Sequence, residues 1–493
     1  MKRMNIKSMK IEKCLEILFK ILFLITCLMF YSNLTFGKPI LSYFMWLSIG
    51  IGGIVILLRL IRIKSVIKSK YLWLLILFAF SHLISSAVNI RYGYYENLKL
   101  LVWMVFQFGI LYAYDDDRKK KDIRKEFFGL GNIYVIITFV LAILSFGYLF
   151  EMKESYFIFL DDYLLQYGMS WGRLFGAYID PNYGAVFAVL SCIISFYCIS
   201  YLRKWWAYII YGINILSQVI YVALSDSRTG LVALCFSIGF IILMLLLQKT
   251  TDKRNYIRWM KSIFGAGVIS FVVLIAVIGI EKGYSTINDY MNSRQAVETE
   301  VETVVEPVEN PSTVASNSSN VEPQESVSEN TEVVEEGREQ DLKKDISNRR
   351  FDLWKAGIEI FSKEPIIGVG FKNIVSYVQE EIPDSYLITN DHGVFDNMHN
   401  AFFNILAGQG LFGAVIFVAI VLVFVVYVFR RILTVKKEDY YIVVLLCACL
   451  GVGVCSMMFV TDVFYAITPT AFFFWLCLGY LIQYLQQEEG VKN

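Results

Sequence analysis

The chain of 493 residues holds three histidines, and two of them, His392 and His399, stand in one polar stretch that leads into a long apolar run. Near neutral pH an imidazole is largely free to accept a proton, so a histidine at such a mouth is a candidate general base. His399 is the first choice, because Asn400 follows it and the glycine pair Gly410 and Gly413 opens the apolar run. His392, in Asn390-Asp391-His392-Gly393, is the rival base or a substrate-positioning group, although a solvated turn is the plainer reading. Asn400 has an amide that can bond a substrate hydroxyl. Three arginines stand at the starts of helical segments: Arg173 before Asp180-Pro181-Asn182, Arg228 within Ser225–Gly230, and Arg350 ahead of Trp354. A cation at a helix N-terminus is electrostatically misplaced unless an anion joins it. A guanidinium grips phosphate oxygens with two parallel hydrogen bonds. These residue types together fit the holding of a phosphate-like anion beside a base, with Asn182 and Trp354 as further positioning groups.

Each residue also has a plainer reading. Arginines near the end of a span snorkel to lipid headgroups. Asp180-Pro181-Asn182 is a good helix start on its own. Gly410 and Gly413 allow close helix packing. His82, deep in an apolar run, reads as a packed, hydrogen-bonded residue. The functional reading rests on whether the arginines and the histidine share one side of a membrane.

A membrane is what the composition demands. Hydrophobic residues make up 56% of the chain and aromatic residues 16%, and the mean hydropathy is +0.54. Soluble domains run at roughly 45–50% apolar. Twelve apolar runs have the length of a spanning helix: 13–32, 41–61, 71–90, 98–114, 130–150, 182–201, 205–224, 229–248, 262–281, 410–429, 440–460 and 464–484. The basic connections, 1–12, 62–70, 115–126, 202–204, 249–261 and 430–438, all fall on one side of these runs. By the positive-inside rule that side is cytoplasmic, with both termini inside and the arginine and histidine segments outside. The first run lacks a small-residue cleavage site and reads as a retained span. Nine cysteines are scattered singly through apolar runs, with neither a disulfide framework nor metal-ligand spacing.

The expected architecture is an all-α integral membrane protein of about twelve transmembrane helices with one large extracytoplasmic loop. Residues 1–281 supply nine spans, 282–398 the loop, and 399–493 the last three. Within the loop, 296–342 is acidic, rich in Ser, Val, Pro and Glu, and reads as disordered. The remainder, 343–398, reads as folded: Ile346, Arg350, Trp354, Gly357 and Phe361 recur at helical spacing up to Pro365, Gly368-Val369-Gly370 form a turn, and a second short helix covers 371–381. A shorter outer loop, 151–178, carries eight aromatic residues that suit the membrane interface or a sugar face.

Four segments resemble the O-antigen ligase and Wzy-type polysaccharide polymerase superfamily. They are Arg173 to Asn182; Ser225-Asp226-Ser227-Arg228-Thr229-Gly230; Arg350-x3-Trp354 with Pro365 to Gly370; and His399-Asn400-x9-Gly410-x2-Gly413, the most specific of the four. The acidic insert departs from the usual pattern. The resemblance implies a metal-independent glycosyltransferase of the GT-C type, with no cofactor, acting on undecaprenyl-diphosphate-linked oligosaccharides. It implies His399 as the catalytic base, Arg173, Arg228 and Arg350 as diphosphate ligands, and Asn182, Asn400, Trp354 and His392 as substrate-positioning residues. A polymerase in capsule or exopolysaccharide synthesis is the leading expectation. A ligase that moves the glycan to another acceptor shares the motifs. A transporter or flippase would place ionisable groups at mid-membrane, whereas here they cluster at span ends. Expected partners are membrane lipids and the flippase and chain-length regulators of the same route, with no nucleic acid.

Overall fold

Each of the twelve apolar runs is mostly helical in the computed structural model, the last of them only from Pro469 onward. The structure describes residues 6–113, 115, 117–151, 156–160, 163–170, 172–248, 256–304, 349–390, 393–432 and 434–489. The helices before the large loop are α1 (Ile6–Phe30), α2 (Pro39–Ile61), α3 (Ile63–Val66), α4 (Leu72–Val88), α5 (Tyr95–Phe106, continued by a π turn to Tyr112), α6 (Lys120–Glu151), α7 (Pro181–Leu202), α8 (Trp205–Leu224), α9 (Arg228–Gln248) and α10 (Tyr256–Val304). After it come α11 (Arg350–Lys363), α12 (Ile374–Glu381), α13 (Tyr386–Thr389), α14 (Ala401–Ile432), α15 (Lys437–Phe459) and α16 (Pro469–Glu489). Eight of these, α2, α6 to α10, α14 and α15, are long and apolar enough to cross a membrane by length and composition. The other four expected spans lie on α1, which carries Lys13, Glu16 and Lys20, on the 17-residue α4, on α5 with its π turn, and on α16.

Helices in lipid gain little from apolar burial against one another and hold together through close packing and hydrogen bonds. The central helix α7 follows this rule. Gly184 lies against Tyr178 and Tyr221, and Gly230 of α9 against Ala185. Asn214 of α8 donates to Ser191 and Ser195 at 3.1 and 2.9 Å. The spanning part of α7 is 72% buried and that of α10 only 11%, so α7 sits inside the bundle and α10 at its rim. Exposed Trp46, Leu57, Phe264, Phe271, Leu422 and Phe429 face outward, as lipid-contacting side chains do.

The aromatic loop adds two short hairpins to the helices: β1 (Tyr156–Leu160) pairs antiparallel with β2 (Tyr163–Tyr167), and β3 (Met169–Ser170) with β4 (Arg173–Leu174). Aromatic side chains favour strands, and Asn33 at the end of α1 donates to the carbonyls of Gln166 and Tyr178 at 2.7 and 2.8 Å, fixing the hairpins to the bundle. The helix of the ninth run continues to Val304, into the start of the acidic segment, whose Ala, Glu and Gln are good helix formers; 305–348 lies outside the described residues. Gly410 admits the backbone of Ile366 and Gly368 where a Cβ would sit, and it does more than pack. Its φ of 61° and ψ of −159° kink α14, a conformation open to glycine alone.

That kink answers the turn at Gly368–Gly370, where both glycines have positive φ. The amides of Val369 and Gly370 donate to the carbonyls of Ala407 and Gly408 at 3.0 and 2.8 Å, and those of Leu411 and Phe412 to Pro365 and Ile366 at 2.8 and 3.0 Å. The groups freed by breaking the helix are thus satisfied by the loop, as burial within a membrane protein requires. Side chains seal the junction. Ser85 donates to Gly408 and Asn89 to Gly368, while Gln409 joins Ser81 and Tyr465 in the space left by the missing side chain of Gly413. His82, 3.1 Å from the carbonyl of Asn97, is part of this buried polar layer.

Candidate functional site

Arg173 is placed by the second hairpin, where it pairs with Ser170 across a two-residue turn whose Gly172 has φ of 70°. Its Nε donates to the carbonyl of Ser225 at 2.9 Å and its Nη2 to Oδ1 of Asn182 at 2.8 Å. The same Asn182 oxygen accepts from Ser227 at 3.0 Å. Asp180 caps α7 by accepting from the amides of Asn182 and Tyr183 at 2.6 and 3.3 Å, and Ser227 caps α9 through the amide of Gly230 at 3.2 Å. Arg228 is the first residue of α9. Two helix N-termini and two arginines therefore meet at one point. Burial pulls the pKa of Arg173 below its ordinary value, and the nearby charge of Arg228 adds to the pull, against Asp180 and Asp226.

The second half of the site is the turn before α14. His399 has a left-handed φ of 49°, and its ring Nδ1 lies 3.1 Å from the carbonyl of Val460. A carbonyl only accepts, so Nδ1 carries the hydrogen and Nε2 keeps its lone pair. Asn400 caps the turn. Its Oδ1 accepts from the amides of Phe402 and Phe403 at 3.0 and 3.5 Å and its Nδ2 donates to Met458 at 3.2 Å. These bonds fix the turn and use one of the two Nδ2 hydrogens. Arg350 opens α11 and stands 5.5 Å from the ring of Phe459, one residue before the carbonyl that orients His399. Trp354 stacks on Phe403 at 5.1 Å, which docks α11 on α14. His392 lies outside the described residues.

Three groups here were not singled out from the sequence. Asp396 is exposed and lies within electrostatic reach of His399; partial desolvation pushes its carboxyl up, but Lys372, 3.2 Å away, and the hydrogen bond from Asn397 together hold it below the ordinary carboxylate range. Asp462 is buried, accepts from Asn404 at 3.2 Å and from the amides of Phe464 and Tyr465 at 3.0 and 2.6 Å, and burial pushes its pKa up to about 6. The signal for Asp462 was present in the sequence, as an aspartate opening a turn two residues past an apolar run. Tyr31 links the halves. Its ring packs 4.7 Å from that of Tyr183, beside Asn182, and it lies within electrostatic reach of Asp396 and Asp462.

Fold and site define a multi-pass helical membrane protein with a polar, cation-bearing centre at one end of the bundle. The family model Wzy_C, described as O-antigen ligase, matches residues 213–418. This supports the O-antigen ligase and Wzy-type superfamily and, with it, a glycosyl-transferring enzyme. The match takes in Ser225–Gly230, the loop helix and the His399 to Gly413 segment, and Arg173 to Asn182 lies before it. No curated protein matches the chain.

Proposed function

We propose that the chain is a polysaccharide polymerase that joins undecaprenyl-diphosphate-linked oligosaccharides at the outer face of the cytoplasmic membrane, on a GT-C-like scaffold of twelve spans. The observation that carries this reading is Arg173: a largely buried guanidinium whose hydrogen bonds go to neutral acceptors, beside a second arginine at a helix N-terminus. A diphosphate supplies the missing negative charge. Arg173 and Arg228 hold it, and Arg350 closes from the loop helix. When the bond between the anomeric carbon and diphosphate breaks, these cations stabilise the leaving group. His399 Nε2 takes the proton of the acceptor hydroxyl as its oxygen forms the new glycosidic bond. The charge alternation of the loops supports the outward orientation.

The description of the matching family favours a second reading, a ligase that hands the glycan to a different acceptor. Deleting the gene and sizing the surface polysaccharide separates them. Single repeat units on the surface support a polymerase, and full-length chains lacking their anchor support a ligase. Repeat units trapped on the inner leaflet would indicate a flippase and sink both.

A further inference from the structure

At the other end of the bundle, a cavity of about 400 Å³ opens between the first halves of α1 and α6. Its wall is apolar, formed by Ile17, Ile21, Leu130 and Ile133. Gly129 also lines it, and a Cβ added there would meet nothing within 4 Å. Charged groups ring the polar end, and their accounts do not cancel. Glu16 is taken by Lys20 at 2.5 Å, Arg59 at 2.9 Å and Arg118. Glu126 is taken by Lys20 at 2.6 Å and Arg118 at 3.4 Å. Asp122 accepts from the amide of Lys119 at 3.1 Å, at the start of α6. Lys13 donates to a neutral group, the carbonyl of Asp117, at 3.3 Å. Lys125 makes no hydrogen bond or ion pair among the described residues and is exposed.

Two ammonium groups over an apolar slot that opens sideways match an amphiphile with a negative head. We propose that this groove is a binding site for an anionic membrane phospholipid, with the phosphate on Lys13 and Lys125 and an acyl chain along Ile17, Ile21 and Ile133 past Gly129. Basic pockets between spanning helices bind anionic headgroups in this way. The exposure of Ile17, 44%, leaves the slot open to the bilayer.

The test uses the full-length protein, purified and delipidated, titrated with phosphatidylglycerol or phosphatidylcholine of identical chains and read by native mass spectrometry. The wild type should prefer phosphatidylglycerol by roughly thirtyfold, the equivalent of about 1 kcal/mol per lysine at an anionic lipid surface. Lys125→Glu, an exposed change that breaks no contact among the described residues, should cut that preference at least fivefold. Gly129→Phe should weaken retention of both lipids by filling the slot. Equal binding of the two lipids by the wild type, or an unchanged preference in Lys125→Glu, overturns the proposal. So does displacement of phosphatidylglycerol by millimolar inorganic phosphate, which would make the ligand a soluble anion.

Discussion

The two ends of the bundle treat charge in opposite ways. At the basic-loop end Glu16, 2% exposed, is enclosed by Lys20, Arg59 and Arg118, and Glu126 shares two of those partners. At the far end Arg173 makes no ion pair among the described residues and is held by an amide oxygen and a carbonyl. Burying charge costs several kcal/mol per ion unless a partner repays it. At one end the chain supplies the partner itself, and the charges lock α1, α2 and α6 together. At the other Asp180 and Asp226 lie nearby without an ion pair to Arg173 among the described residues, and the proposed diphosphate would complete the balance. A structural ion network and a binding site thus differ in whether the protein completes its own charge balance.

The largest expected effect tests the chemical half of this contrast. His399→Ala should lower turnover of lipid-linked glycan in membranes by about 10²–10⁴-fold, the usual contribution of a positioned base. Expression and thermal stability should hold, because Asn400 still fixes the turn. Activity within a few-fold of wild type would remove His399 as the base, and selective loss in His392→Ala would move the role there.

The next prediction concerns the closed end. Glu16→Gln leaves Lys20, Arg59 and Arg118 buried without their shared carboxylate, and breaking a buried pair this way costs about 3–5 kcal/mol. The variant should melt well below the wild type in detergent, while the molecules that fold keep their turnover. A variant with wild-type melting, or one that folds fully and loses its turnover, would blur the distinction between the two ends.

Arg173→Met is the counterpart at the open end. It keeps the length of the side chain and removes a charge that burial already disfavours. Turnover should fall by about 10²–10³-fold, as when one stabilising donor to a developing anion is lost. The melting temperature should stay nearly level, since removing a buried charge offsets the loss of two charge-assisted bonds to the carbonyl of Ser225 and the amide oxygen of Asn182. Active protein with a lowered melting point would make Arg173 structural.

How much of this was legible in the sequence follows the range of the interactions. The apolar runs, the stop of α11 before Pro365, the short helix after Gly370 and the capping of α7 by Asp180 each leave a local mark in residue type or spacing, and each is found. The nearness of Arg173 to Arg228 was expected from the charge alternation of the loops, which assigns both connections to one side. What was not legible is non-local. The backbone of 365–370 pairs with that of 407–412, and only that pairing explains why Gly410 has positive φ. The carbonyl of Val460 orients His399 from 61 residues away, and no spacing rule points to it. The tie of Asn400 is of the same kind: its cap is local, but Met458, whose carbonyl accepts from its Nδ2, is on another helix.

The smallest effect comes from Asp462, the buried carboxyl beside the His399 corner. Its folded pKa is about 6, above the value near 3.9 of an exposed aspartate. A raised acid favours the proton-bound folded state, so its stabilising contribution is complete below about pH 4 and is lost as pH rises through about 6, in total on the order of 2–3 kcal/mol. Asp396 works the other way, since its pKa is lowered, so the absolute pH profile mixes both. The difference between wild type and Asp462→Asn isolates the first. Asn keeps an oxygen for the amides of Phe464 and Tyr465 and cannot titrate. Melting temperatures of both proteins measured from pH 4 to 7 should diverge in slope, with the wild type losing ground to the variant as pH rises. Parallel profiles would mean that Asp462 does not titrate in this range, and that its three hydrogen bonds offset its burial.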